Sequence, residues 1–157
     1  MRVLFITHYY APDSGAAANR LTRLAAGLAE RGHEVTVLAP MPHYPTGRIP
    51  NGYRGHWQMS EQRDGVRVIR TWLWARPGGG IIRRLISQLS FMVTCGLRGM
   101  FLPRPDVIFI ENQPIFTGLA GWFISRIMQR PYVLNLSDYW PEYLYVSGTV
   151  SQRSLLY

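Results

Sequence analysis

Several short stretches of this sequence carry groups able to do chemistry. Between Pro12 and Asn19, PDSGAAAN, one glycine, Gly15, precedes an alanine-rich helical pattern, so the free N–H groups of a helix start meet a flexible turn. Backbone amides in that geometry bind anions. A dinucleotide fingerprint needs further glycines at fixed spacing, and only Gly15 is present, which disfavours a nicotinamide or flavin site. The same residues also fit a plain tight turn at Gly15 with Asp13 or Ser14 capping the helix. His8 stands just past the apolar run Val3 to Ile6, where it reaches either a bound ligand or a partner within its own loop. Asn112 and Gln113 follow DVIFIE; their amides suit sugar hydroxyls, or they stabilise the turn before Pro114. Asp138 and Glu142, in SDYWPEY, add carboxylates that can orient a hydroxyl or act as a general base. A helix cap ahead of Pro141 is the alternative for Asp138. His43 and His56 fall in a long loop, as ligand contacts or as exposed loop residues, whereas His33 reads as structural. No pair among the four histidines has metal-ligand spacing on one helix face, and no cofactor is expected.

The elements that must position these groups alternate between strand and helix. Val3 to Ile6 reads as a buried parallel strand, and the alanine-rich helix stops at Gly32. A second strand, Val35 to Leu38, follows at once, which makes a βαβ unit whose ligands sit beyond the carboxyl ends of the strands. Ala39 to Trp57 is rich in proline, glycine and aromatics and reads as a binding loop with no regular element. Val66 to Thr71 is a strand, with a short one ahead of it near Gln58 to Gln62. Gly78, Gly79 and Gly80 lead into a helix from about Ile81 to Phe101 that Pro103 and Pro105 end. Then come the strand Asp106 to Glu111, a helix from about Ile115 to Gln129, the strand Tyr132 to Leu136 and an exit loop, Ser137 to Gly148. The pattern predicts an α/β fold, a Rossmann-like open and mostly parallel sheet with helices on both faces. Ser151 to Tyr157 reads as the start of another helix, so the sequence has the look of a fragment or an excised domain.

With 157 residues there is room for one domain, and 47% hydrophobic residues exclude disorder as the default. The net charge of +8 comes from 17 arginines against nine acids, with no lysine; GC-rich coding and phosphate binding explain that bias equally. Arg76, Arg83, Arg84, Arg98 and Arg104 lie in Ala75 to Pro105, which has no acid. That segment predicts affinity for an anionic surface, and its arginines stand among leucine, isoleucine, methionine and phenylalanine, which favours a phospholipid leaflet over nucleic acid. Arg83, Ser87, Ser90, Thr94 and Arg98 form a polar stripe on an otherwise apolar helix. The uncharged run Leu85 to Leu97 is too short for a bilayer, which needs about 20 residues, so the helix is expected to lie in a membrane surface through Arg83, Arg84 and Arg98, or to be a buried crossover. Cys95 is the only cysteine, so no internal disulfide forms. Met1 and Arg2 enter the first strand without a leader, and the expected location is cytoplasmic, peripheral at the inner face of the plasma membrane.

Val3 to Thr7, Pro12 to Asn19, Arg31 to Leu38 with its RGHEVTVL, Met41 to Gly52 and Ser137 to Gly148 with its Asp-x-Trp-Pro together resemble one large family. It is the family 4-type retaining glycosyltransferases, and the likeness is to the amino-terminal, acceptor-side domain of members that build lipopolysaccharide and capsule. The resemblance implies half of an architecture in which two Rossmann-like domains face each other across a cleft, the second holding most nucleotide-sugar contacts. It implies that the amides near Gly15 and Ala16 approach donor phosphates or the acceptor head group. Asn19 and Arg20 would face the cleft, and Asp138 would position the acceptor or act as base without a protein nucleophile. The expected function is therefore the acceptor half of a hexosyltransferase, taking sugar from a nucleotide sugar to a lipid-linked or polysaccharide acceptor. Such a half is inactive alone and needs the donor domain on the same chain or on a second polypeptide. A non-catalytic membrane-surface module with the same fold is the other class.

Overall fold

The computed structural model describes residues 1–78 and 80–137. Six strands form one sheet: β1 (Arg2–Ile6), β2 (Glu34–Pro40), β3 (Gln58–Arg63), β4 (Val66–Thr71), β5 (Val107–Glu111) and β6 (Tyr132–Asn135). Three helices connect them: α1 (Ala16–Glu30), α2 (Ile81–Gly99) and α3 (Ile115–Met128). The sheet order is β3-β4-β2-β1-β5-β6, parallel throughout except for β3. Without β3, the parallel strands follow the doubly wound order, whose direction reverses between β1 and β5; ligands of such sheets bind outside that point.

The alternation of β1 shows why the sheet is covered twice. Val3 and Phe5 join Leu21 and Ala25 of α1 in one core, while Leu4 and Ile6 join Phe91 and Cys95 of α2 and Ile124 of α3 in the other. Side chains of a strand point to opposite faces in turn, and each fully buried aliphatic or aromatic group contributes about 1.5–3 kcal/mol. Strands buried on both faces read as continuous apolar runs, and β1, β2 and β5 do. The expected α/β architecture is observed.

Several boundaries differ from expectation by a residue or two. The second strand runs on through Ala39 to Pro40, and the long loop that follows contains one turn of 3-10 helix at Asn51–Tyr53. The long helix stops at Gly99, short of Phe101, because the chain turns through Met100 to Leu102 ahead of Pro103. The short polar strand is a full antiparallel partner of β4, joined to it through Asp64 and Gly65 at φ 51° and 74°. Successive positive φ values are those of the two-residue hairpin turn that Asp-Gly favours.

Candidate functional site

At the carboxyl edge of the sheet the exits of β1, β2 and β4 and the start of α2 enclose a cavity of about 190 Å3. His8 and Tyr9 enter it from β1, His43 and Tyr44 from the loop after β2, Arg76 from the segment after β4, and Arg83 and Arg84 from the first turn of α2. The His8 and His43 rings meet edge to face with centroids 5.3 Å apart, and Phe91 of α2 backs His8 at 5.2 Å. Asp13 ties the loop down: its Oδ1 accepts the backbone N–H groups of His43 at 2.7 Å and Tyr44 at 2.8 Å. The expected helix cap at Asp13 or Ser14 is absent, since Gly15 occupies the N-cap and no side chain caps it. Gly15 has φ 154°, and a Cβ there would approach the Tyr44 ring to 3.1 Å, so its freedom lets the loop close over the start of α1. Gly47 does the same farther along, at φ 68° with the Arg76 carbonyl where a Cβ would stand.

The electrostatics of the cavity follow from burial. His8 is 2% exposed, and desolvation, with His43 beside it, holds its pKa well below the usual histidine range. His43 is lowered too, by burial, with Asp13 opposing. Its Nδ1 lies 3.1 Å from the Met41 carbonyl, which can only accept, so Nδ1 carries the proton and Nε2 the lone pair. Burial raises Asp13 against the pull of His43 and the two backbone N–H groups, and raises Tyr9 against Arg84. The neutral histidines make stability depend on pH. Below 6.5 the unfolded chain takes up protons that folded His8 and His43 refuse, so stability falls as pH falls, by at most about 1.4 kcal/mol per pH unit and per histidine. Asp13 acts in the opposite sense nearer its own range, since the folded chain protonates it first. Thermal melts should therefore drop between pH 7.5 and 5.5. A His8→Gln variant should show a distinctly flatter dependence; an unchanged slope would mean that His8 titrates normally.

A second cluster stands on the same edge, across β1. Glu111, buried at the end of β5, accepts from Arg20 at 3.1 Å, from Asn135 Nδ2 at 2.6 Å and from the Ser137 hydroxyl. Arg20 also donates to Ser137 Oγ at 2.7 Å. The guanidinium thus clips the first turn of α1 to β5 and to the exit of β6.

The residues singled out from sequence therefore divide. His8 and His43 come together, and Gly15 lies beneath Tyr44. Arg20 belongs to the Glu111 cluster. Asn112 lays its amide over Gly118 of α3, where the missing side chain leaves room, and donates its N–H to the Asn135 carbonyl at 3.0 Å. Gln113 follows it at the same edge, while Ala16, Asn19 and His56 are exposed. Asp138 and Glu142 lie outside the described residues. Arg83 and Arg84, expected as lipid contacts, line the cavity; Arg98, 15 residues on and so about 22 Å along the helix, is half-buried with its Nε sequestered. Sequence reasoning missed Tyr9 and Tyr44, the anchoring role of Asp13, and Glu111, and it read Arg76 as part of a basic segment without placing it in the cavity. Glu111 had a visible signal, as the acid closing an otherwise apolar strand. Among the described residues, no group of three or more histidine, cysteine or acidic side chains is placed to hold a metal ion.

A doubly wound sheet with polar groups at its switch point is shared by many enzymes, so the sequence comparison decides between them. Residues 15–156 match the glycosyl transferase 4-like domain. The chain belongs to that family. It is also 24% identical over 141 residues to a protein of Escherichia coli (strain K12) that bears the name colanic acid biosynthesis glycosyl transferase WcaI. That match covers 88% of this chain and 34% of the relative, so the chain spans about a third of the relative's length.

Proposed function

We propose that this chain is the acceptor-side half of a membrane-associated hexosyltransferase acting at the cytoplasmic face of a membrane. A second domain, on the same chain or another, holds most of the nucleotide sugar, and these 157 residues do not turn over alone. The acceptor is lipid-linked or a growing polysaccharide, and Asp138, three residues past β6, orients its hydroxyl. Family membership and the third of WcaI that is matched support the half-enzyme reading; the name of that relative supports envelope polysaccharide as the product.

The observation that carries the membrane part is the outer face of α2. Ile82, Ile86, Leu89, Val93 and Leu97 recur along it and are exposed. Its polar stripe is used inwardly: Ser90 Oγ accepts the Trp74 N–H at 2.8 Å and Thr94 Oγ1 donates to the Trp72 carbonyl at 2.7 Å. Packed beside it, α3 shows Leu119, Trp122, Phe123 and Ile127, with Phe123 against Gly96 at the seam. Neither helix contains an acid, and Arg83, Arg84 and Arg126 border the surface. Contiguous exposed apolar area rimmed by cations has the chemistry of an anionic leaflet. No helix among the described residues is long and apolar enough to cross a membrane, so contact is by lying in the interface. The chain should therefore float with vesicles containing phosphatidylglycerol, more than with neutral ones, and less as salt rises. Equal, salt-insensitive recovery with both vesicle types would refute the membrane reading.

A further inference from the structure

Beyond β4 the fold carries three indoles that neither the His8 cavity nor the outer face of α2 accounts for. Gln58 pairs with Thr71 at the carboxyl end of β4, so Trp57 and Trp72, one step farther, stand opposite each other. Their rings lie 5.0 Å apart, and the Trp57 carbonyl accepts the Trp72 N–H at 2.9 Å. Leu73 and Ala75 pack into the core, so the alternation of an extended chain turns Trp72, Trp74 and Arg76 the other way. The Arg76 guanidinium sits 5.5 Å from the centre of the Trp74 ring. Trp57 is 71% exposed, and Trp72 and Trp74 are half-buried. Arg76 also lines a groove of about 490 Å3 between the loop after β2 and the segment after β4, together with Arg48, Arg54 and Ile49. Arg54 is fixed there by donating its Nε to the Ile49 carbonyl at 2.7 Å. No acidic side chain lines the groove, and none of its three arginines has a carboxylate partner among the described residues. Cations gathered in this way repel one another until an anion enters.

We infer that the groove and the indole row form a subsite for a carboxylate-bearing sugar unit of a saccharide acceptor, next to the His8 cavity. The inference rests on the polysaccharide form of the acceptor reading above and gives that acceptor its chemistry. A pyranose ring has an apolar C–H face that lies flat on an indole and a rim of hydroxyls that stays in water. A uronate adds one planar carboxylate, the group that guanidinium forks bind through paired hydrogen bonds. Trp74 and Arg76, in contact, present both recognition elements within the reach of one sugar. Volume agrees: the groove falls within the range of about 300–1,000 Å3 for small-molecule sites, whereas the His8 cavity, at about 190 Å3, falls below it. Gly47, Ala75 and Arg76 line both recesses, so a unit held in the groove lies beside the cavity. A lipid leaflet is flat and does not enter a recess lined by three guanidinium groups.

The test is calorimetric titration of the whole chain with hexagalacturonate and with maltohexaose, an acidic and a neutral oligosaccharide of equal length. The expected result is binding of the acidic one about tenfold or more tighter. An Arg48→Gln/Arg54→Gln variant should lose that preference, and Trp57→Ala should weaken hexagalacturonate binding about fivefold. Arg23→Gln/Arg104→Gln, equal in charge and exposed elsewhere, should change neither. Thermal melts show whether each variant folds; if the Arg48/Arg54 pair does not, Trp57→Ala decides alone. Equal affinity for the two oligosaccharides, or equal loss of preference in both arginine pairs, overturns the inference. So does inorganic phosphate binding as tightly as hexagalacturonate, which would make the groove a simple anion site. Unchanged saccharide binding in Trp57→Ala overturns it too, and loss of vesicle flotation in that variant would then assign the indoles to the membrane. Failure of both oligosaccharides to bind overturns the subsite alone. The acceptor-side reading fails separately, if the chain binds nucleotide sugars tightly or transfers sugar by itself.

Discussion

Replacing Arg70 by methionine should cost about 3 kcal/mol of stability, read as a lowered urea midpoint with an unchanged slope. Arg70, on β4, is wholly buried. Its Nε and Nη2 donate to Glu61 Oε1 at 3.0 and 2.9 Å, Nη1 donates to the Pro40 carbonyl at 3.2 Å, and Nη2 also reaches the Ala11 carbonyl. The Tyr10 and Tyr53 rings flank the guanidinium. One cation thereby joins the loop after β1, the end of β2 and strand β3, the supports of the cavity wall. Methionine fills most of the volume but leaves Glu61 Oε1 and two carbonyl oxygens without the donors Arg70 supplies, while the Tyr53 hydroxyl still donates to Glu61 Oε2 at 2.8 Å. Breaking a buried ion pair from one side costs about 3–5 kcal/mol, and partial exposure of Glu61 places this case at the low end. Converting Glu61 to methionine as well should return part of the loss. A single-variant cost below about 1 kcal/mol would show that water already serves these acceptors.

Serine at Ile86, Leu89 and Val93 together should weaken vesicle binding roughly a hundredfold, and should lower the melting temperature as well, because the half of each side chain already buried in the fold is lost too. The three side chains are 42%, 40% and 54% exposed, so about half of each remains to be buried. Full burial is worth about 1.5–3 kcal/mol per side chain, which leaves about 1 kcal/mol each for the membrane. Three such losses make about 3 kcal/mol, or about two powers of ten in affinity. If the face served only internal packing, the melt would fall while flotation stayed intact.

The limits of the sequence are instructive residue by residue. β1, β2 and β5 were legible because strands buried on both faces are uninterrupted apolar runs, and α1 because its apolar positions keep a helical period between Gly15 and Gly32. β3 gives a weaker signal: QMSEQR alternates half-buried and exposed residues at a sheet edge, and only the Asp64-Gly65 turn reveals its antiparallel pairing. The polar stripe of α2 was visible but its orientation was not, since a helical period says which residues share a face and not which face meets the protein. The cavity was least legible. Asp13 grips His43 and Tyr44 across 30 and 31 residues, and Glu111 meets Arg20 across 91. Such pairs are made by the sheet order, and no local pattern announces them.

The central claim, that this chain serves the acceptor side and leaves the donor to another domain, is tested most directly by calorimetric titration of the chain with a panel of nucleotide sugars. The account predicts dissociation constants no tighter than about 1 mM, with no sugar transferred. Binding of any nucleotide sugar tighter than about 1 μM, or measurable transfer by these 157 residues alone, would contradict it.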